Sequence, residues 1–338
     1  MAQKANIVST GMYVPDRIVK NAELKEYFSK INLGEVVDKL EKSSGILQRG
    51  YAPDDWASSD IAVPACQQAI ERAGLTPMDI DLIILGTDSP DYLTPATSTV
   101  LQHKLGAKNA GTFDVACACA TFPAGIGIGA SLMEANDALK NVLVVSVYMM
   151  RKLADDNDIT RFFYGDGAGA AILQPGKKKA FMGTKMIADG QYAKAWGIYS
   201  GGTAEPASVE SVEAGRTKVK LVGEYPADIN TKHWPHLIRD LAKENKFKLS
   251  DIDQIVFTQV NKHAIITVMD DLGIDQSKAH MIMDKWGYTG SACIPMALND
   301  ALEQGKVKKG DLVVMVGSGV GYNMAATAMR IVGDLPTT

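Results

Sequence analysis

Short apolar runs rich in β-branched residues punctuate the chain at Leu82–Leu85, Val142–Val147 and Leu312–Val316. Each is bounded by polar or glycine positions and lacks the strict alternation of a half-exposed strand. Each therefore reads as a strand buried on both faces. Over 61–75, 130–139, 234–249 and 295–304 the apolar positions take a helical spacing instead. Strands alternating with helices of this length predict an α/β chain. No apolar run approaches the ~18 residues of a transmembrane helix. The N-terminal stretch has one Lys and no apolar run of signal-peptide length. A soluble cytoplasmic protein is the expectation.

The pattern also repeats. Asp79-Ile-Asp-Leu-Ile-Ile-Leu85 returns as Asp251-Ile-Asp-Gln-Ile-Val-Phe257, 172 residues later. Lys140–Val147 returns as Lys309–Val316 at nearly that offset, and each copy follows a helical segment. A glycine-rich turn with a small-residue strand closes each copy, at 165–173 and 317–331. Repeats of this kind organise the architecture. They predict two α/β halves, 1–175 and 176–338, related by a pseudo-twofold axis. Residues 149–162 form a polar excursion of the first half and read as an inserted loop or lid.

Composition narrows the functional classes. With 35 Lys plus Arg against 39 Asp plus Glu, the net charge is −4, and only 7% of residues are aromatic. Neither a basic stripe for a phosphate backbone nor a stacking platform is indicated, so a nucleic-acid partner is disfavoured. Four Cys in 338 residues make no disulfide framework. No Gly-x-Gly-x-x-Gly follows the first strand, and no Gly-x-x-x-x-Gly-Lys-Ser/Thr occurs, which argues against a Rossmann dehydrogenase and a P-loop.

The richest stretch for chemistry is Thr112–Asn136. A strand ending at Val115 runs through small residues into a helix that begins near Cys119 or Ala120. A thiol there meets free backbone N–H groups and the positive end of the helix dipole, which favour thiolate. Cys119 is thus read either as a nucleophile or, like Cys117, as a small buried apolar residue. Gly125, Gly127 and Gly129 inside the helix each cost about 1 kcal/mol of propensity and point to close approach by another backbone. His233 and His236 lack a third metal ligand and read as a surface cap or loop. His263, just past the strand ending at Phe257, lies where sites gather in α/β folds. Asp88 holds a comparable position in the first half and reads alternatively as a solvated loop carboxylate.

Together, Ser9-Thr-Gly-Met-Tyr-Val-Pro15, Gly45-Ile46 with Arg49, Asp79-Ile-Asp-Leu-Ile-Ile84, Thr94-Pro-Ala-Thr-Ser98, Phe113-Asp-Val-Ala-Cys-Ala-Cys119-Ala120, Gly165-Asp-Gly-Ala-Gly-Ala170 and Gly317-Ser-Gly-Val-Gly321 are similar to a known family. They resemble the β-ketoacyl-acyl-carrier-protein synthase III branch of the thiolase superfamily, nearly end to end. The resemblance implies a duplicated five-layer αβαβα fold, a homodimer, a tunnel for an acyl chain and a nucleophile at Cys119. It implies no permanently bound cofactor or metal; acyl-CoA or acyl-carrier-protein thioesters are the substrates. It also implies an oxyanion site at the backbone N–H groups of Cys119 and Val320.

In that family a His and an Asn assist malonyl decarboxylation. Here the His-Gln-Ala-Asn stretch reads Thr258-Gln259-Val260-Asn261, and Gly-Asn-Thr-Ser reads Gly287-Tyr288-Thr289-Gly290. A Thr hydroxyl and a Tyr phenol donate hydrogen bonds, but neither is a base at neutral pH. His263 substitutes only if its loop turns inward. Asp88 falls near the general-base Glu of the related hydroxymethylglutaryl-CoA synthases. Lys39 and Ser43 replace the family's Trp and Arg for coenzyme A, which favours a carrier-bound donor. Lys and Arg in 151–161 or 214–220 offer a patch for an acidic carrier. The expected activity is acyl transfer through Cys119 in a fatty-acid or polyketide-like condensation. The alternatives are a non-decarboxylating acyltransferase or thioesterase with an oxygen, nitrogen or water acceptor, and a supporting subunit of a heteromeric synthase.

Overall fold

The computed structural model describes residues 4–336. Its first sheet is built from β1 (Lys4–Tyr13), β2 (Leu82–Gly86), β3 (Gly111–Val115), β4 (Val142–Tyr148) and β5 (Gly167–Gly176), in the order β1-β5-β4-β2-β3. The second is built from β6 (Phe181–Ala188), β7 (Gln254–Phe257), β8 (Leu312–Gly319) and β9 (Asn323–Arg330), in the order β6-β9-β8-β7. The repeated sequence runs occupy equivalent places. β2 pairs in parallel with β4 through Leu82 and Val142, and β7 with β8 through Gln254 and Val313. Antiparallel neighbours follow in both sheets, β5 then β1 and β9 then β6. The place of β3 shrinks in the second sheet to one parallel bridge, Ile255 to Ala279.

Six helices complete five layers. α1 (Ser58–Arg72) and α2 (Thr97–Leu105) cover the first sheet, and α4 (Ile229–Glu244) covers the second, with α5 (Lys262–Leu272) packed beside α4. Between the sheets lie α3 (Thr121–Ala135) and α6 (Cys293–Glu303). A helix between two sheets must be apolar all round, and ten consecutive residues of α6, Cys293–Leu302, are buried. The α3 glycines face both ways. A methyl on Gly125 or Gly129 would stand 3.0 Å from Val144 or Leu173 of the first sheet, whereas one on Gly127 would strike Thr184 of the second. Close packing is their role. Both central helices carry proline as third residue, Pro123 and Pro295, where no intrahelical N–H bond is lost.

Two expectations are narrowed or changed. Of the two readings of residues 149–162, a loop or a lid, the anchored loop fits: Met150–Leu153 and Ile159–Phe162 are 3-10 turns, and Phe162 is fully buried. Arg151 donates to buried Asp166 at 3.1 Å, and Lys152 to the carbonyls of Asp54 and Trp56. His233 and His236 lie within α4, not in a loop before it. Among the described residues no His, Cys, Asp and Glu grouping has the geometry of a metal site, and no helix is long and apolar enough to cross a membrane.

Candidate active site

The strand β3 ends at Val115, and the chain then turns sharply through Cys117 and Ala118. Ala118 takes φ +46°, a left-handed conformation costing a non-glycine residue about 1 kcal/mol. The turn closes with Ala120 N–H donating to the Cys117 carbonyl at 3.0 Å. Cys119 sits in this 3-10 turn, directly ahead of α3, and is 4% exposed. The second half presses on it. A methyl on Gly317 of β8 would stand 2.6 Å from the Cys119 carbonyl, and one on Gly319 would meet the Cys117 carbonyl. Only glycine lets β8 lie this close.

The Cys119 thiol shares a cavity of about 240 Å³ with Asp88, Tyr148, Tyr164, Tyr288 and Val320. The excursion at 189–228 supplies Trp196, Ile198 and Val219 as further wall. The Tyr288 hydroxyl makes a short contact with Cys119 Sγ. Backbone bonds aim that phenol: Tyr288 N–H donates to the Phe163 carbonyl at 2.8 Å, and its carbonyl accepts from Gly165 N–H at 2.9 Å. Burial pushes the Cys119 thiol well up from its ordinary value, and the Asp88 charge adds to this. The bond from Tyr288 opposes the shift. Burial likewise pushes the Tyr288 phenol up.

Asp88 follows β2 and is partly covered. Its Oδ1 accepts from the Ser291 hydroxyl at 3.0 Å. Desolvation pushes its carboxyl up to about 6, although the Ser291 bond acts in the opposite direction. Ser291 is fully buried and occupies the turn Gly290–Ala292 directly ahead of α6. That turn is the counterpart of 118–120 in the second half, again 172 residues on, and Gly290 has φ +43°. The turn ahead of α3 thus lines the cavity through Cys119, and the turn ahead of α6 stands behind it, bonded to Asp88. Cys293, the first residue of α6, is buried with its thiol pushed up to about 12.

The remaining predicted residues lie elsewhere. Thr258 is 1% exposed and does not line the cavity; its Oγ1 accepts from Ser318 N–H at 3.0 Å and braces the segment leading to Val320. Gln259 bonds the His280 carbonyl and Ile282 N–H, and Asn261 caps α5 by accepting from Ala264 N–H. His263 is exposed in the first turn of α5, so its side chain is outside the cavity. Lys39 and Ser43 are exposed on the helix Gly34–Ser44. Tyr148, Tyr164 and Ser291 were not singled out from the sequence. Tyr148 had a legible signal, its place at the end of a buried strand. Trp196 and Val219 had none, because nothing local announces that their segment folds back.

Comparison with known proteins gives consistent matches. The model of 3-oxoacyl-[acyl-carrier-protein] synthase III matches residues 113–190, and the model of that family's C-terminal part matches 242–331. A β-ketoacyl-[acyl-carrier-protein] synthase III of Clostridioides difficile is 34% identical over 332 residues, covering 98% of this chain and 99% of the relative. One from Syntrophomonas wolfei is 33% identical over 329 residues, covering 97% of each. Among solved structures, a 3-oxoacyl-(acyl carrier protein) synthase III of Pseudomonas aeruginosa superposes with TM-score 0.86 at 25% identity, covering 99% of this chain and 100% of that one. The priming β-ketosynthase of the R1128 polyketide pathway gives TM-score 0.86 at 27% identity, covering 99% and 98%.

Proposed function

This chain belongs to the 3-oxoacyl-[acyl-carrier-protein] synthase III family and is an acyltransferase-type enzyme, and within that class we propose that Cys119 is the nucleophile that carries the acyl group. The observation behind the assignment is the Tyr288 hydroxyl on Cys119 Sγ, in one cavity with the Asp88 carboxyl, which burial pushes up to about 6. Cys119 Sγ attacks the carbonyl of an acyl-CoA or acyl-carrier-protein thioester. The carbon–sulfur bond to the donor breaks, and the departing thiolate takes up a proton. Asp88 is the cavity group able to accept the Cys119 proton at neutral pH, and Tyr288 donates a hydrogen bond to the thiolate. We place the oxyanion site at the backbone N–H groups of Cys119 and Val320. Support comes from the shared cavity and from the approach of Gly319 to Cys119 N, 3.0 Å for an added methyl.

The second step is read as a family-type condensation onto a carbon nucleophile. In this reading Thr258 and Tyr288 stand in for the family His and Asn. A specific observation favours the alternative, transfer to an oxygen, nitrogen or water acceptor: Asp88 lines the cavity with Cys119, while Thr258 lies outside it and is engaged by Ser318. A retained thiol ahead of a helix argues against a supporting subunit. We read the chain as two halves, 1–175 and 176–338, supported by the matching strand orders, and as a cytoplasmic homodimer after its family.

Intact mass after incubation with acyl-CoA and acyl-carrier-protein thioesters tests the assignment. A mass gain present in the wild type and absent in Cys119→Ala is expected; persistence of the gain in the variant would overturn it. Adding a malonyl thioester to the acyl-enzyme then separates the readings. Carbon dioxide release with a longer product marks condensation, and discharge to water or an amine without it marks simple transfer.

A further inference from the structure

Tyr148 ends β4 and is 3% exposed. Its ring is fixed on several sides. Tyr164 and Tyr288 lie with ring centroids 6.1 and 5.8 Å away, and Gly290 abuts it so closely that a methyl there would strike the ring. Its hydroxyl makes no hydrogen bond to any described residue. It is also absent from the polar atoms that are both sealed and partnerless, such as the Tyr51 hydroxyl, so it opens on the cavity. Asp88, whose Oδ1 accepts from Ser291, lines the same space. The acyl group must therefore sit beside a rigid phenolic donor and a carboxyl oxygen.

An apolar chain would bury both groups without partners, and sites built in this way discriminate strongly against analogues that cannot pair with them. The space is also small. The cavity is about 240 Å³ and is walled by Trp196, Ile198 and Val219. We propose that Tyr148, together with Asp88, determines specificity by selecting a short acyl group that carries a hydroxyl close to its thioester. The proposal rests on the reading of Cys119 as nucleophile.

The test compares the initial rates at which butanoyl and 3-hydroxybutanoyl thioesters acylate Cys119. Each acyl group is presented on coenzyme A and on a carrier protein, and the reaction is followed by intact mass. The wild type should prefer the hydroxylated donor by about tenfold or more, the effect of about 1.4 kcal/mol. Tyr148→Phe should bring the ratio to within about threefold of one. A wild-type ratio of one or below overturns the selectivity, and that result needs no variant. An unchanged ratio in folded Tyr148→Phe overturns it as well. Equal acylation by both donors leaves the nucleophile reading standing, whereas acylation by neither removes both.

Discussion

The turns Ala118–Ala120 and Gly290–Ala292 are one backbone device used twice, each bending through positive φ into a central helix. In the first the middle residue is a thiol, and in the second it is Ser291, which braces Asp88. Steric relief is also distributed differently. At the first turn Ala118 keeps its methyl because the facing residue of β8 is Gly319; at the second the turn itself gives up the methyl, because Tyr148 stands against Gly290. The duplication thus places one turn in the cavity wall and its counterpart directly behind it, on Asp88. Divergence makes one a reactive group and the other a support for the carboxyl beside it.

The largest effect belongs to the first turn. Cys119→Ala should abolish the acyl-enzyme while circular dichroism and Tm stay close to wild type, since a buried thiol is exchanged for a small apolar side chain. Asp88→Asn should come next, slowing acylation about 10²–10⁴-fold. In the wild type the rate should fall as pH drops through about 6, the value to which this carboxyl is pushed, and Asn should remove that acid limb. Stability should move the other way. A carboxyl whose folded pKa lies above its unfolded one costs stability progressively as pH rises from about 4 to about 6. Asp88→Asn should therefore raise stability by about 1–3 kcal/mol at pH 7 and change little at pH 4, as read by urea unfolding.

Smaller effects separate the two turns themselves. Gly290→Ala should destabilise by about 2 kcal/mol or more through overpacking against Tyr148 and a strained φ. Ala118→Gly should stabilise by about 0.5–1 kcal/mol by relieving the left-handed strain. If both substitutions shift Tm alike, the contrast between the turns is wrong. Ser291→Ala should have the mildest kinetic effect, a loss of a few-fold at pH 7. It also removes a bond that holds the Asp88 proton affinity down, so the acid limb should move to higher pH. An acid limb that stays in place would show that the Ser291 bond does not act on Asp88.

Much of the fold was legible in the chain. Leu82–Leu85, Val142–Val147 and Leu312–Val316 form central strands because strands covered on both faces need continuous apolar side chains. The 172-residue offset relates the repeated strands and also relates Cys119 to Ser291, although a Ser in a small-residue run carries no local signal of that pairing. The glycines of α3 were rightly read as packing positions. Asp88 and His263 were harder. Both follow strand ends, and sequence spacing does not reveal which way the next residues turn; Asp88 faces the cavity and His263 faces solvent.

By itself the sequence determined the layered α/β fold, the duplication, the family and the thiol ahead of a helix, because each depends on periodicity or on residues adjacent in the chain. Only the tertiary structure decided the company that thiol keeps. Tyr288, Asp88, Tyr148 and Val219 come from four separate segments, and their meeting in one cavity depends on how two sheets press on two helices. Electrostatics followed from that meeting. Burial and a neighbouring carboxylate act through space, so the raised proton affinities of Cys119 and Asp88 exist only once the chain has folded.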